Sequence, residues 1–287
     1  MASELPSRGR GAGRIESEKD AHTRRASFDA IARLYDQARP GYPDALFDDL
    51  CAITGIAPAS VDSRSRVLEI GCGTGHATLP LAARGLRIHC VELGEKMAAM
   101  AREKLTPFPR VQVTVADFDA WETDARYHLI YSASAYHWLN PETRVDRIAR
   151  LLQPRGWLAV WRSHHVRGSG QSAEFFLAAQ SIYAREAPAL AAKFTGLDQA
   201  EEICPEEVLE WRTSGHFEDV QTHTYAWTMD YTAEAYVRML DTHSDHRTLP
   251  ADHRARLFDG IIRLVDAFGG KVTREQATIL CLARKKS

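Results

Sequence analysis

Along this chain short apolar runs alternate with amphipathic stretches of helical period, and the alternation has a clear beginning and end. Residues 1–25 carry Gly, Ser, Arg and Glu with hardly any large apolar side chain, so they bury too little surface to offset ordering entropy and read as a disordered tail. From Ser27 the pattern changes. Phe28, Ile31, Ala32, Leu34 and Tyr35 recur at helical spacing until Arg39-Pro40-Gly41-Tyr42-Pro43 breaks the helix. A second helix follows with Ala45, Leu46, Leu50 and Ile53. Strands are then predicted over 66–70, 87–92, 111–115, 128–132 and 157–161, with helices over 78–84 and 95–104. The helix before the fifth strand carries Val145, Ile148, Ala149, Leu151 and Leu152 and stops at Pro154-Arg155-Gly156. Strand and helix in turn predict an α/β fold, a mostly parallel sheet covered by helices on both faces.

After Trp161 the alternation ceases. Some fifty residues of helical character include Phe175, Phe176, Ala179, Ile182 and Tyr183, then Val208, Leu209 and Trp211. Strand signals return only over 217–228 and 277–283, on either side of a helical block with apolar positions at 237–240 and 257–268.

The first strand ends in Val67-Leu68-Glu69-Ile70-Gly71-Cys72-Gly73-Thr74-Gly75, and about twenty residues later the second ends in Cys90-Val91-Glu92-Leu93. A glycine turn between strand and helix, with a carboxylate closing the next strand, describes a βαβ unit that holds a nucleoside; Glu92 is placed to accept hydrogen bonds from both ribose hydroxyls. A dinucleotide site requires G-x-G-x-x-G, so that pyrophosphate can sit at the helix N-terminus. Here Gly71, Gly73 and Gly75 give G-x-G-x-G, and His76 stands where the third glycine of a dinucleotide turn belongs. Glu69, two residues before the turn, is poorly placed to welcome pyrophosphate and suited to help anchor a cationic amino-acid group.

This constellation resembles motif I of the class I S-adenosylmethionine-dependent methyltransferases, in particular the small-molecule branch that includes trans-aconitate methyltransferases. The resemblance covers residues 27–287, strongest over 67–161. It implies a Rossmann-like seven-stranded sheet, mostly parallel with an antiparallel closing strand, as one domain over 26–287 with a helical cap insertion at 162–215. It also implies S-adenosyl-L-methionine as cofactor, with Gly71, Cys72, Gly73 and Gly75 packed against the methionine and ribose portions. By the same match Met97 lies against adenine or ribose, unless it is a core methionine. Asp117 at the end of the third strand reads the adenine amino group with Phe118 as its neighbour, or caps the following turn. Backbone groups of Ser132 and Ala133 meet the methionine end. Tyr136 and His137, with Trp138, face or support the acceptor. His137 is either a general base, as an imidazole of unperturbed pKa ~6.5 can be, or a positioning group. Tyr35 in the early helix is implied to contact the methionine carboxylate, with Arg39 and Tyr42 as further lid residues.

Other features narrow the reading. A net charge of −2 and a pI near 6.6 give no general pull toward nucleic acid or anionic membrane. No apolar run approaches the ~20 residues that span a bilayer, and the N-terminus lacks a signal-peptide core. Five scattered cysteines without C-x-x-C spacing argue for reduced thiols and a cytoplasmic setting. Adjacent His164 and His165 on an extended segment point to opposite faces, and His243-x-x-His246 has no cysteine beside it, so no metal site is expected. The expected function is methyl transfer to an O, N or C atom of a small-molecule acceptor by a monomer or homodimer. The alternatives are an RNA or protein methyltransferase, against which stand the absent basic stripe and N-P-P-Y motif, and a non-catalytic cofactor-binding protein. A nicotinamide oxidoreductase is disfavoured by the glycine spacing.

Overall fold

The computed structural model describes residues 29–56, 66–194 and 196–287. The tail expected over 1–25 lies outside them, as does Phe28. Strands β1 (Val67–Ile70), β2 (Ile88–Glu92), β3 (Val111–Val115), β4 (Tyr127–Ala133) and β5 (Leu152–His165) run parallel to one another. With β6 (Phe217–Thr232) and β7 (Lys271–Lys285) they form one seven-stranded sheet in the order β3-β2-β1-β4-β5-β7-β6. β7 is antiparallel to both its neighbours. This is the mostly parallel sheet with an antiparallel closing strand that the sequence predicted. Strand order reverses between β1 and β4, which puts the natural ligand crevice beyond their C-terminal ends.

All four residues of β1 are buried, as a central parallel strand covered on both faces requires. The pleat sends Val67 to one face, against Leu46, Phe47, Leu50, Leu81 and Leu105 from the helices Asp44–Thr54, Thr78–Ala83 and Glu95–Leu105. Leu68 and Ile70 go to the other, against Ile148 and Ala149 of Arg144–Leu151 and Val208 and Trp211 of Glu206–Thr213. A third apolar cluster lies apart from the sheet core. Phe175, Ala179 and Ile182 of the helix Gly170–Glu186 pack on Tyr236 and Leu240 of Ala233–Leu240 and on Leu257, Ile261 and Val265 of Ala251–Ala267. Gly260 permits the close crossing, since a Cβ there would stand 2.7 Å from Ile182 Cγ2.

The helical lobe is therefore assembled from two stretches of chain. Glu206–Thr213, within the expected insertion, covers the sheet instead, while the block after β6 joins the lobe. The lobe is carried on a long β6–β7 ladder that pairs Thr232 with Lys271 at one end and Phe217 with Lys285 at the other. Sequence patterning ended these strands early because their outer halves alternate polar residues at half-exposed positions. β5 likewise continues past Trp161 to His165, pairing Arg162–His165 with Ile279–Gln276. Its Pro154-Arg155-Gly156 start is an irregular lead-in where the register to β4 shifts and Arg155 adopts φ +60°.

Candidate active site

At the crevice Gly71, Gly73 and Gly75 all have left-handed backbone, with φ of 71°, 55° and 87°. Gly71 has no alternative: a Cβ would lie 2.5 Å from Ala135 Cβ. Gly73 has open space where a Cβ would be, so the turn leaves a cradle at the cleft surface. Glu92 is fixed opposite by two backbone donors. Gly73 N–H reaches Oε2 and Gly94 N–H reaches Oε1, each at 2.8 Å. Burial raises the Glu92 carboxyl above its ordinary range, and these two N–H groups oppose the shift.

The cleft is walled by Gly71, Gly73, Glu92, Met97, Asp117 and Phe118, and by Tyr35 and Ala133, around ≈ 840 Å³ of space open to solvent at its mouth. These eight are the sequence-predicted cofactor residues that the fold brings together. Asp117 Oδ1 also accepts Asp119 N–H at 3.1 Å, so the turn-capping role coexists with the lining one. Asp29, which sequence reading passed over, belongs here too. Its Oδ1 accepts the N–H groups of Lys96 and Met97 at 2.6 and 3.0 Å, tying the early segment to the start of the helix Glu95–Leu105. The signal for it was a carboxylate in an otherwise helical segment, which is too common a pattern to single out.

Four other candidates stand behind the wall. Glu69 is fully buried; its Oε2 accepts the hydroxyls of Thr78 and Tyr131 at 2.5 and 2.6 Å, and burial pushes its carboxyl up to about 7. Its Oε1 has no partner among the described residues. Cys72 is buried in the sheet core. Gly75 backs onto Ala101 and Leu105, where it allows helix packing, and Ser132 spends its hydroxyl on Ile70 O at 2.9 Å. Tyr136, expected beside the reaction, is a correction. It is buried, with its hydroxyl donating to Glu210 at 3.0 Å and accepting from Trp211 Nε1 at 3.0 Å. Arg144 pairs with the same Glu210 and covers the Tyr136 ring at 4.4 Å. Tyr136 lines neither cavity and serves as a structural anchor.

His137 faces a second, larger cavity of ≈ 1550 Å³ between sheet and helical lobe. Tyr35, Ser134 and Trp138 line both cavities, so the two adjoin. Ser134 holds φ +58°, and its Oγ lies 3.1 Å from the Tyr42 hydroxyl. Arg39, Tyr42, His76, Arg162 and His165 face the second cavity from the sheet side, and Tyr231, His243, Asp245 and Arg274 from the lobe and ladder. Its histidines are held neutral. Burial, with Arg162 and Arg144 adding to it, lowers His137 to about 4, and burial and Arg274 lower His165 to about 2. His243 is driven well down by burial and by Arg39 and Arg274.

Metal-ligand atoms of His243, Asp245 and His246 lie within 4.8 Å of one another, closer than sequence spacing suggested. Both ring nitrogens of His246 are engaged, Nδ1 with Asp245 and Nε2 with the Tyr183 hydroxyl, each at 2.8 Å. Asp245, His246 and Tyr183 form a hydrogen-bonded relay with His243 in ring contact, and Arg39 and Arg274 make the setting positively charged, which disfavours a cation. Among the described residues no helix is long and apolar enough to cross a membrane.

Comparison with known proteins places this geometry. Residues 67–156 match the family described as a methyltransferase domain. An uncharacterized methyltransferase of Mycobacterium tuberculosis is 27% identical over 240 residues, 83% of this chain and 85% of that protein. A trans-aconitate 2-methyltransferase of an Azoarcus species is 30% identical over 106 residues, 37% of this chain and 42% of the relative. Among solved structures, a candidate type II methyltransferase from Anaeromyxobacter dehalogenans superposes with TM-score 0.56 at 23% identity, covering 86% of this chain and 97% of that one. The [4+2]-cyclase SpnF superposes with TM-score 0.51 at 15% identity, covering 94% and 97%. These likenesses establish the fold, which by itself does not choose a reaction.

Proposed function

We propose, from the match of residues 67–156 to the methyltransferase-domain family, that this chain is an S-adenosylmethionine-dependent methyltransferase with a small-molecule acceptor. The observation that carries the reading is the pairing of an open glycine cradle with the fixed Glu92 carboxylate at the strand-order reversal, directly beside a second cavity. The residues fit the cofactor: a Cβ-sized opening at Gly73, a carboxylate for ribose hydroxyls at Glu92, and a carboxylate for an adenine amino group at Asp117.

When bound, S-adenosylmethionine supplies an electrophilic methyl group on a sulfonium, so the protein need not activate the donor. The chain's own work is placement and exclusion of water. Glu92 and Asp117 orient the nucleoside, and Met97 and Phe118 close apolar surface around it. Tyr35, Ser134 and Trp138 form the shared wall across which acceptor and methyl group would meet. His137 is neutral at pH 7 and, with a pKa of about 4, is a poor proton acceptor for an alcohol or amine. We read it as a hydrogen-bonding group that positions the acceptor. Two adjoining cavities of this size suit a small molecule beside the cofactor, and no basic stripe for nucleic acid accompanies a net charge of −2.

Calorimetric titration of the full chain with S-adenosylmethionine, S-adenosylhomocysteine and NAD tests the reading. Micromolar binding of the first two and none of NAD is expected. NAD binding with no affinity for the sulfonium pair would overturn it.

A further inference from the structure

The second cavity carries more positive charge than its own side chains balance. Arg39 enters from the end of the early helix Ala32–Ala38, Arg162 from the extension of β5, and Arg274 from β7. None of the three has a carboxylate partner among the described residues. Arg39 Nε donates to Thr242 Oγ1 at 2.7 Å, Arg274 Nη1 lies 3.1 Å from Met239 Sδ, and the buried Arg274 Nε has no partner. The cavity's one carboxylate, Asp245, is already engaged by the His246 N–H and ring at 2.8 Å.

Such an arrangement is costly without a ligand. Guanidinium groups taken partly out of water are ordinarily paired, and here the neighbours are histidines kept neutral rather than acids. Burial and Arg274 weaken the hold of Arg39 on its proton, which marks the two as near enough to repel. An arginine offers a planar fork of donors that matches an oxyanion; Arg39 and Arg274 face the cavity together, with the exposed Arg162 at its rim.

We propose that the second cavity binds the methyl acceptor through an oxyanion group, a carboxylate or phosphate, held by Arg39 and Arg274. The inference rests on the reading of this cavity as the acceptor site. Neutral histidines beside the anion then act as donors and acceptors toward its uncharged part, and the same positive surroundings disfavour a cation at His243 and Asp245.

The test uses the full chain saturated with S-adenosylhomocysteine, titrated calorimetrically at constant ionic strength with citrate, inorganic phosphate and, as the uncharged control, glycerol. At least one anion should bind and glycerol should not. Stronger binding of citrate assigns a carboxylate acceptor, and stronger binding of phosphate a phosphorylated one. Arg274→Gln should weaken that anion about tenfold or more, while the affinity for S-adenosylhomocysteine stays within about twofold because Arg274 does not line the cofactor cleft. Should Arg274→Gln fail to fold, Arg39→Gln carries the test, read by the anion affinity alone. The proposal fails if neither anion binds the loaded chain, or if binding survives in the folded variants. Failure of S-adenosylhomocysteine to bind at all strikes the proposed function instead.

Discussion

Removing Glu92 tests the cofactor site most directly, because the structure separates what the side chain does for the turn from what it offers a ligand. Its two oxygens take Gly73 and Gly94 N–H at 2.8 Å each, and every carboxylate oxygen has a second lone pair. The second pairs are those a ribose diol can reach from the cleft. Glu92→Ala therefore deletes two charge-assisted bonds to the ligand, and cofactor affinity should fall by about 1–3 kcal/mol, roughly 5- to 150-fold. The same change leaves two backbone donors without their acceptor at a cleft edge where water can replace it, so unfolding free energy should drop by only about 1–2 kcal/mol. Glu92→Gln keeps one acceptor oxygen and should fall between Ala and wild type in affinity. Calorimetry with S-adenosylhomocysteine gives the first quantity and urea unfolding of the ligand-free chain the second. If folded Glu92→Ala binds within about twofold of wild type, Glu92 is a turn clasp and the nucleoside reading is refuted.

Three further outcomes are expected. Burial holds the Glu69 carboxyl at about 7 in the fold, against 4.5 for a free glutamate in the unfolded chain. The folded state therefore holds more protons between these values, and wild-type stability should decline as pH rises from about 4.5 to 7 by up to ~3 kcal/mol relative to Glu69→Gln; equal slopes in paired urea melts would remove Glu69 as the source. Tyr136→Phe should cost about 1–3 kcal/mol by orphaning Trp211 Nε1, yet leave S-adenosylhomocysteine affinity unchanged; a stable variant that loses cofactor affinity would restore Tyr136 to the site. Proton NMR should place the His137 titration near pH 4, with the ring neutral throughout the physiological range. A midpoint above pH 6 would return it to candidacy as a general base.

The sheet and the cofactor half were legible because their physics is local. Val67–Ile70, Gly71, Gly73 and Glu92 act within one βαβ unit, where spacing along the chain equals spacing in the fold. Backbone candidates such as Gly75 and Ser132 failed as lining residues for a simple reason: one step along a strand or turn reverses the face a residue presents. Tyr136 misled for the same reason, since it and His137 are neighbours in a tight 3₁₀ turn and only the second points to the cavity. The acceptor side was illegible in a deeper sense. Arg274 and Tyr231 sit on polar, alternating stretches with no distinguishing spacing, and they meet Arg39 across more than 190 positions of sequence. Only the pairing of β6 with β7 brings them there.

That ladder has a wider consequence for how such a chain can diversify. Its inner end is locked into the sheet by Leu280 and Leu282, while its outer end bears Tyr231, Val272 and the helical lobe. The described lining of the first cleft lies entirely within residues 29–139, and most of the second cavity's lies after Trp161. Lengthening or re-registering the outer ladder would remould the second cavity without altering a residue of the first cleft, so on the proposed function new acceptors are reachable by edits confined to one hairpin and the helices it carries.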